Sequence, residues 1–386
     1  MGRKQLSAQR VVELVAQKFG TLKDRRVERT KRHPLLNILV LALCGAVCGA
    51  DGWDELAEFA RSKRALFSRV LAMPHGTPSA DTLRRVLSSL HPARFEECMR
   101  AWVAALAQEL AGQVVALDGK AVRGALGRAA SGAVRPLHLL HAWAAEQQLL
   151  LGQVAVEGAP GEVSALPGLI GMLDVEGAVL TADANGCTGD VAAACIDAGA
   201  DYVLCLKGNR GTLHAHVQAL FDAAGAHPAG TYVQHSDPKQ RHGREETRRV
   251  SALPLTDWPL KKARWKGAAT CVRVERTRGG GVAASLEVHY YLSSLPADSA
   301  RLAHAIRTHW GVENALHWVL DVAFNEDRRR IRDAAGAQNF AALSRLALSL
   351  LKREGTHKAG IAAKRKKAGW DDAYLLRVLS AGIAEV

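Results

Sequence analysis

Two short apolar runs, each closed by an aspartate, constrain this chain most. Val114-Val115-Ala116-Leu117 runs into Asp118, and Ala178-Val179-Leu180-Thr181-Ala182 runs into Asp183. Runs of this length read as fully buried strands, which need cover on both faces. A further strand is expected at Tyr202–Leu206, after a helix over 190–198. Residues 138–145 and 149–156 read as a hairpin turning at Glu146-Gln147-Gln148, and residues 164–173 as a helix. Gly119 to Gly124 reads as a loop or turn. Past Lys207-Gly208-Asn209-Arg210 a helix is expected to about residue 223. The order β-β-β-α-β-α-β-α describes an α/β (α+β) mixed sheet with helices on its faces. In such sheets ligands collect at strand ends, which is where Asp118 and Asp183 fall.

The flanks differ in texture. Residues 1–110 read as an α-helical N-terminal domain. Within it, residues 35–50 form an apolar helix, too short and too interrupted by Asn37, Gly45 and Gly49 to span a membrane. Ser79 or Asp81 would cap a helix at 82–87, and His91-Pro92 starts another running through Trp102. With Arg84 and Arg85 on the first, this pair resembles a helix-turn-helix. Residues 111–225 carry the first part of the sheet, and 226–298 read as a β-rich insertion punctuated by Gly279-Gly280-Gly281. Residues 299–386 hold helices at 298–322 and 337–353, a basic linker with Lys364-Arg365-Lys366-Lys367, and a last helix over 371–379.

A third carboxylate stands in an unusual place. In His309-Trp310-Gly311-Val312-Glu313-Asn314-Ala315-Leu316-His317-Trp318, helical period puts Glu313 inside the apolar stripe of Ala303, Ile306, Trp310, Leu316 and Leu320. A buried, unpaired carboxylate costs several kcal/mol, so a cation must compensate it. Asp118, Asp183 and Glu313 brought together would suit hard divalent ions beside a phosphate. Zinc on His309, Glu313 and His317 is disfavoured, because one helix face spread over two turns holds such ligands poorly. His317 reads as a partner of Glu313 or a packed residue, and Trp310 and Trp318 read as core.

The charge balance points to a polyanion. Fifty-one Lys+Arg against 38 Asp+Glu leave a net charge of +13, for which nucleic acid is the commonest partner. Lys207 and Asn209 are placed to meet phosphate, and Arg244, Arg248 and Arg249 make a basic strand. The 7 cysteines form no CxxC pair and read as buried free thiols of a reducing, cytoplasmic compartment. No Walker, dinucleotide or nucleophile-elbow pattern is present.

Several blocks together resemble one family. They are Asp118-Gly119-Lys120-x-x-Arg123, Ala182-Asp183-Ala184, Gly199-Ala200-Asp201-Tyr202-Val203 with Leu206-Lys207-Gly208-Asn209, and His242-Gly243-Arg244-x-Glu246-x-Arg248. Arg307-x-His309-Trp310-x-x-Glu313-Asn314-x-Leu316-His317-Trp318-x-Leu320-Asp321-Val322 and Asn325-Glu326-Asp327 complete the set. The chain resembles the H-repeat-associated, ISAs-type DDE transposases of bacterial insertion sequences. The resemblance implies a ribonuclease-H-like core with a β insertion before its last acidic helix. It implies a triad of Asp118, Asp183 and Glu313 holding two Mg²⁺ or Mn²⁺ ions, with His317, Trp318 and Asp321 in support. Lys120, Arg123, Lys207, Asn209, Arg244, Arg248, Arg307, His309, Trp310 and Asn314 would meet double-stranded DNA. The expected activity is cutting transposon ends and joining them to target DNA, by a homodimer on DNA at the bacterial nucleoid, with no membrane partner. The alternatives are a domesticated, non-catalytic DNA-binding derivative and a nuclease without strand transfer. Ala159-Pro160-Gly161-Glu162 replaces a Lys-Ser-Asn-Glu run frequent in the family, losing a cation, and Thr188 stands near a frequent Gln.

Overall fold

A computed structural model of the chain describes residues 8–128, 134–225, 231–235, 246–255, 264–278 and 285–381. Arg244 and Gly279-Gly280-Gly281 lie outside them. Among the described residues six α-helices come first: α1 (Ala8–Phe19), α2 (Leu35–Val47), α3 (Trp53–Ser62), α4 (Arg64–Phe67), α5 (Ala80–Ser89) and α6 (Pro92–Ala104). α2 is apolar around its whole circumference and is buried accordingly; its one polar member, Asn37, donates its amide to the Ala72 carbonyl at 2.8 Å. Ser79 caps α5 by accepting the Thr82 N–H, as the sequence suggests. Arg84 and Arg85 both reach back to Asp81 on the surface.

Nine strands follow among the described residues: β1 (Val114–Arg128), β2 (Val134–Ala144), β3 (Leu149–Val156), β4 (Val179–Ala182), β5 (Asp201–Leu206), β6 (Tyr232–His235), β7 (Glu246–Pro254), β8 (Thr270–Arg278) and β9 (Ser285–Ser293). They form one sheet in the order β3-β2-β1-β4-β5-β9-β8-β7-β6. β3, β2 and β1 are antiparallel, whereas β1, β4 and β5 run parallel. Three antiparallel strands followed by two parallel ones, with helices packed on the faces, make the ribonuclease-H-like fold. The strands at 232–293 are not set apart from it. β9 pairs antiparallel with β5, Val203 opposite Ser293, so they lengthen the same sheet.

β1 corrects the expected turn at 119–124. The strand runs on, with Asp118 opposite His141 and Lys120 opposite Leu139 on β2. Gly119 and Lys120 read as turn residues by composition, but the Lys120 ammonium is buried against Asp321 at 2.7 Å, which lets the strand continue.

The remaining helices are α7 (Gly158–Ile170), α8 (Gly189–Asp197), α9 (Gly211–Ala223), α10 (Ser299–Trp310), α11 (Trp318–Ala323), α12 (Ala334–Arg353), α13 (Ile361–Trp370) and α14 (Asp372–Ser380). Thr188 accepts the Val191 N–H and caps α8. α12 is buried along most of its length and packs against both the N-terminal helices and the sheet. Its Leu343, Leu346, Leu350 and Leu351 lie in the core, and Asn339 donates to the carbonyls of Leu87 and Leu90 at the end of α5. The expected basic linker is α13, and half of its charge run is structural. Lys364 is buried and donates to the Leu351 carbonyl at 2.9 Å; Arg365 pairs with Asp51 at 2.7 Å and lies over the Phe324 ring. All seven cysteines are free, and all but Cys48 are buried. No helix among the described residues is long and apolar enough to cross a membrane.

Candidate metal centre

The parallel pairing of β1 with β4 ends at Leu117 opposite Ala182. The next residue in each case is an aspartate, so Asp118 within β1 and Asp183 just past the end of β4 come from neighbouring strands, whose usual spacing is about 4.8 Å. Backbone amides orient both. Asp118 Oδ1 accepts the Gly119 N–H at 3.0 Å, and Asp183 Oδ1 accepts those of Asn185 and Gly186 at 3.0 and 3.2 Å.

The third carboxylate arrives from a break in the helix. α10 stops at Trp310, and Glu313–His317 forms a π-helical turn before α11. Such turns carry an extra residue and shift the phase of everything beyond them. The side chain of Glu313 is therefore 71% exposed, not buried as an unbroken helix would make it. Trp310 and Trp318, expected in the core, are 53% and 57% exposed; Trp318 lies beyond the turn, whereas Trp310 precedes it and faces an open groove. Glu313 therefore needs no buried counter-charge; the carboxylate that does is Asp118, whose side chain is only 26% exposed.

His317 is buried beneath the turn, with Nδ1 3.2 Å from Glu313 Oε2 and 3.6 Å from Asp118 Oδ2. Ligand atoms of Asp118, Glu313 and His317 all lie within 4.8 Å of one another. Burial, together with the charges of Asp183, Glu162 and Glu313, pushes the Asp118 carboxyl up to about 7, against the lowering effect of the Gly119 N–H. The centre holds more negative charge than its own groups offset.

His309 takes no part in that group. Its Nδ1 lies 2.9 Å from the Thr181 hydroxyl, and burial drives the ring down to about 4 in spite of the Asp183 charge. A neutral ring held against β4 corrects its expected place among the DNA contacts. Lys120 is corrected likewise, since its ammonium is committed to Asp321. Asn209 turns inward too, donating to the Ala184 carbonyl at 2.8 Å and tethering the loop that carries Asp183. Arg123 and Lys207 are exposed, the first 3.8 Å from Asp327. Arg248 pairs with Glu246 at 2.7 Å. It also lines a groove of about 590 Å³ with Arg276, Tyr291, Arg307, Trp310 and Asn314. That groove adjoins Glu313 in sequence and in space.

Two features escape a reading of the sequence. Glu162 on α7 sits over Gly119 and is hydrogen-bonded to His138. A Cβ at position 119 would lie 1.8 Å from Glu162 Oε1, so only glycine admits this fourth acid beside Asp118. Behind the centre, Arg345 and Glu326 form a fully buried ion pair at 2.6 Å, and Arg345 Nε donates to His141 at 2.9 Å. An arginine inside the leucine-rich run of α12 is the one sequence sign of that pair.

Comparison with known proteins gives the family. Residues 109–350 match the family described as the transposase DDE domain, and residues 16–103 match the DDE_Tnp_1-associated domain. H repeat-associated putative transposase YhhI of Escherichia coli K12 is 32% identical over 375 residues, covering 94% of this chain and 96% of its own. Putative transposase YncI of Escherichia coli O157:H7 is 32% identical over 372 residues, 94% of this chain and 93% of its own. A protein encoded in the dhlA 3′ region of Xanthobacter autotrophicus is 38% identical over 282 residues, 71% of this chain and 92% of its own. The piggyBac transposase in a synaptic complex with hairpin DNA is a distant likeness, with 13% identity and a TM-score of 0.41 over 96% of this chain and 78% of that one. The chain belongs to the DDE transposase family, among its H-repeat-associated members. Divalent-metal use comes with that family.

Proposed function

We propose that this protein cuts the ends of a mobile DNA segment and joins them to target DNA, with Asp118, Asp183 and Glu313 holding two Mg²⁺ or Mn²⁺ ions. The observation that carries the reading is the meeting of Asp118 from β1 and Glu313 from the π-helical turn, nearly two hundred residues apart, within 4.8 Å. The donor set fits such ions: carboxylate oxygens are their preferred ligands, and an aspartate that keeps its proton to about pH 7 marks charge that a cation would relieve. When bound, the ions would stabilise the attacking and leaving oxygens of an in-line phosphoryl displacement.

The chain's own groups do the remaining work. Backbone N–H groups fix Asp118 and Asp183, and His317 braces Glu313 from below. Arg307 and Asn314 offer donors to phosphate, and the exposed Trp310 indole offers a stacking face to a base at the strand end. The net charge of +13 adds affinity that does not depend on sequence. Two ends must be processed together, so a homodimer on double-stranded DNA, acting in the cytoplasm at the nucleoid, completes the proposal.

Labelled DNA carrying the element's terminal repeats tests this. Wild type with Mg²⁺ is expected to nick and join, while Asp183→Asn and Glu313→Gln bind DNA without cutting it. Cleavage retained in either variant removes that residue from the triad. Hydrolysis without joining would reduce the activity to a nuclease, and binding alone to a non-catalytic derivative.

A further inference from the structure

We propose that Arg345 fixes the proton positions of two buried imidazoles, His141 and His317, so that His317 presents an N–H rather than a lone pair to Glu313 and Asp118. The geometry stands by itself; its consequence for metal binding rests on the role proposed above for Glu313. His317 is thereby a positioning residue and not a ligand.

Arg345 has no choice of hydrogen-bonding role. Arg345 is paired with Glu326 through two nitrogens, at 2.6 and 3.1 Å, and a guanidinium donates at every nitrogen and accepts at none. Its Nε–H points to His141 Nε2 at 2.9 Å, so that ring nitrogen must be the unprotonated one. A neutral His141 then carries its proton on Nδ1. Neutrality is secured by complete burial and by the charge of Arg345, which together drive this imidazole well below its usual range.

The Nδ1–H of His141 finds no acceptor among the described residues, although it is buried. The ring of His317 lies 5.7 Å away between centroids, tilted by 56°, and its Nε2 is buried without a partner in the same way. Each unmet buried group destabilises the fold. Joining the two nitrogens directly, by a small ring rotation, satisfies both at once. The bond can run only from His141 to His317, because His141 holds the proton. His317 Nε2 accepts, and its own proton lies on Nδ1, 3.2 Å from Glu313 Oε2 and 3.6 Å from Asp118 Oδ2. A fixed cation in the core thus sets which face of a distant imidazole the carboxylates meet. Hydrogen bonds of this type to metal-holding groups typically change metal affinity 10–100-fold.

The test is two-bond ¹H–¹⁵N correlation spectroscopy on full-length protein labelled at histidine nitrogens, in metal-free buffer with EDTA. Signals are assigned with His141→Gln and His317→Gln. Both rings are expected neutral, with the proton on Nδ1 and Nε2 unprotonated; a His317 proton on Nε2 would overturn the inference. A second arm uses Mn²⁺ binding followed by electron paramagnetic resonance. His141→Gln can accept from Arg345 through its oxygen and donate through its nitrogen. It is expected to keep the His317 pattern and an Mn²⁺ affinity within about threefold of wild type, whereas folded His141→Leu should bind at least about 10-fold more weakly. Equal affinity in the leucine variant contradicts the proposal, and the wild-type spectrum decides should that variant not fold. The two readings fail separately. The expected tautomers in a protein that never cuts DNA would sink the function alone, and cutting by a protein whose His317 proton sits on Nε2 would sink this inference alone.

Discussion

Replacing Asp118 with asparagine is expected to make the metal-free protein more stable while removing its metal site. In the folded chain, burial and the charges of Asp183, Glu162 and Glu313 raise the Asp118 carboxyl from its ordinary 3.8 to about 7. An acid raised on folding keeps a proton that the unfolded chain releases. Below about pH 4 both states are protonated and no penalty exists. Between about pH 4 and 7 stability falls as pH rises, and above 7 the penalty is complete. About three pKa units at 1.36 kcal/mol each give about 4 kcal/mol. Asparagine has the same shape, carries no charge, and can still accept the Gly119 N–H. Urea unfolding at pH 8 in EDTA should therefore place Asp118→Asn about 2–4 kcal/mol above wild type, with the gap closing toward pH 4. Saturating Mg²⁺ should raise the midpoint of wild type and leave the variant unmoved. A variant no more stable than wild type at pH 8, or a gap that ignores pH, would refute the reasoning.

Two further outcomes follow from the same geometry. Gly119→Ala places a methyl 1.8 Å from Glu162 Oε1 and 2.9 Å from His138 Nε2. It should lower the unfolding free energy by about 1–3 kcal/mol, and Glu162→Ala in the same chain should recover most of that, as read by urea denaturation. Arg307→Ala and Trp310→Ala, both on the open groove, should leave the melting temperature within a degree or two of wild type, because exposed positions contribute little to stability. Both should weaken DNA binding in a fluorescence titration, and only the arginine variant should reduce the salt slope, by about 1.

The sequence carried the parts of this architecture that local pattern decides. Asp118 and Asp183 follow short apolar runs that read as buried strands, and the parallel register sets the ends of those runs side by side. The hairpin at Glu146-Gln147-Gln148, the buried helix at Leu35–Val47 and the inward leucines of α12 follow from periodicity in the same way. What stayed hidden depends on partners far away in the chain. Lys120 reads as a turn residue until Asp321 neutralises it, two hundred positions on. Lys364 and Arg365 read as a solvated run until carbonyls of α12 and Asp51 receive them. Glu313 reads as buried because a uniform 3.6-residue period cannot anticipate a π-helical turn. Glu162 was invisible for another reason. Its proximity to Asp118 is created by the missing side chain of Gly119, and a glycine in a strand announces a close approach without saying to what.

Asp118, Asp183 and Glu313 are proposed to grip divalent ions at one point, where the parallel pairing of the central strands β1 and β4 ends. Crystals grown with Mn²⁺, measured at a wavelength where manganese scatters anomalously, test it most directly. The account predicts anomalous density bounded by those three carboxylates, with the His317 ring outside the coordination sphere. Density elsewhere, or none at saturating Mn²⁺, would contradict it.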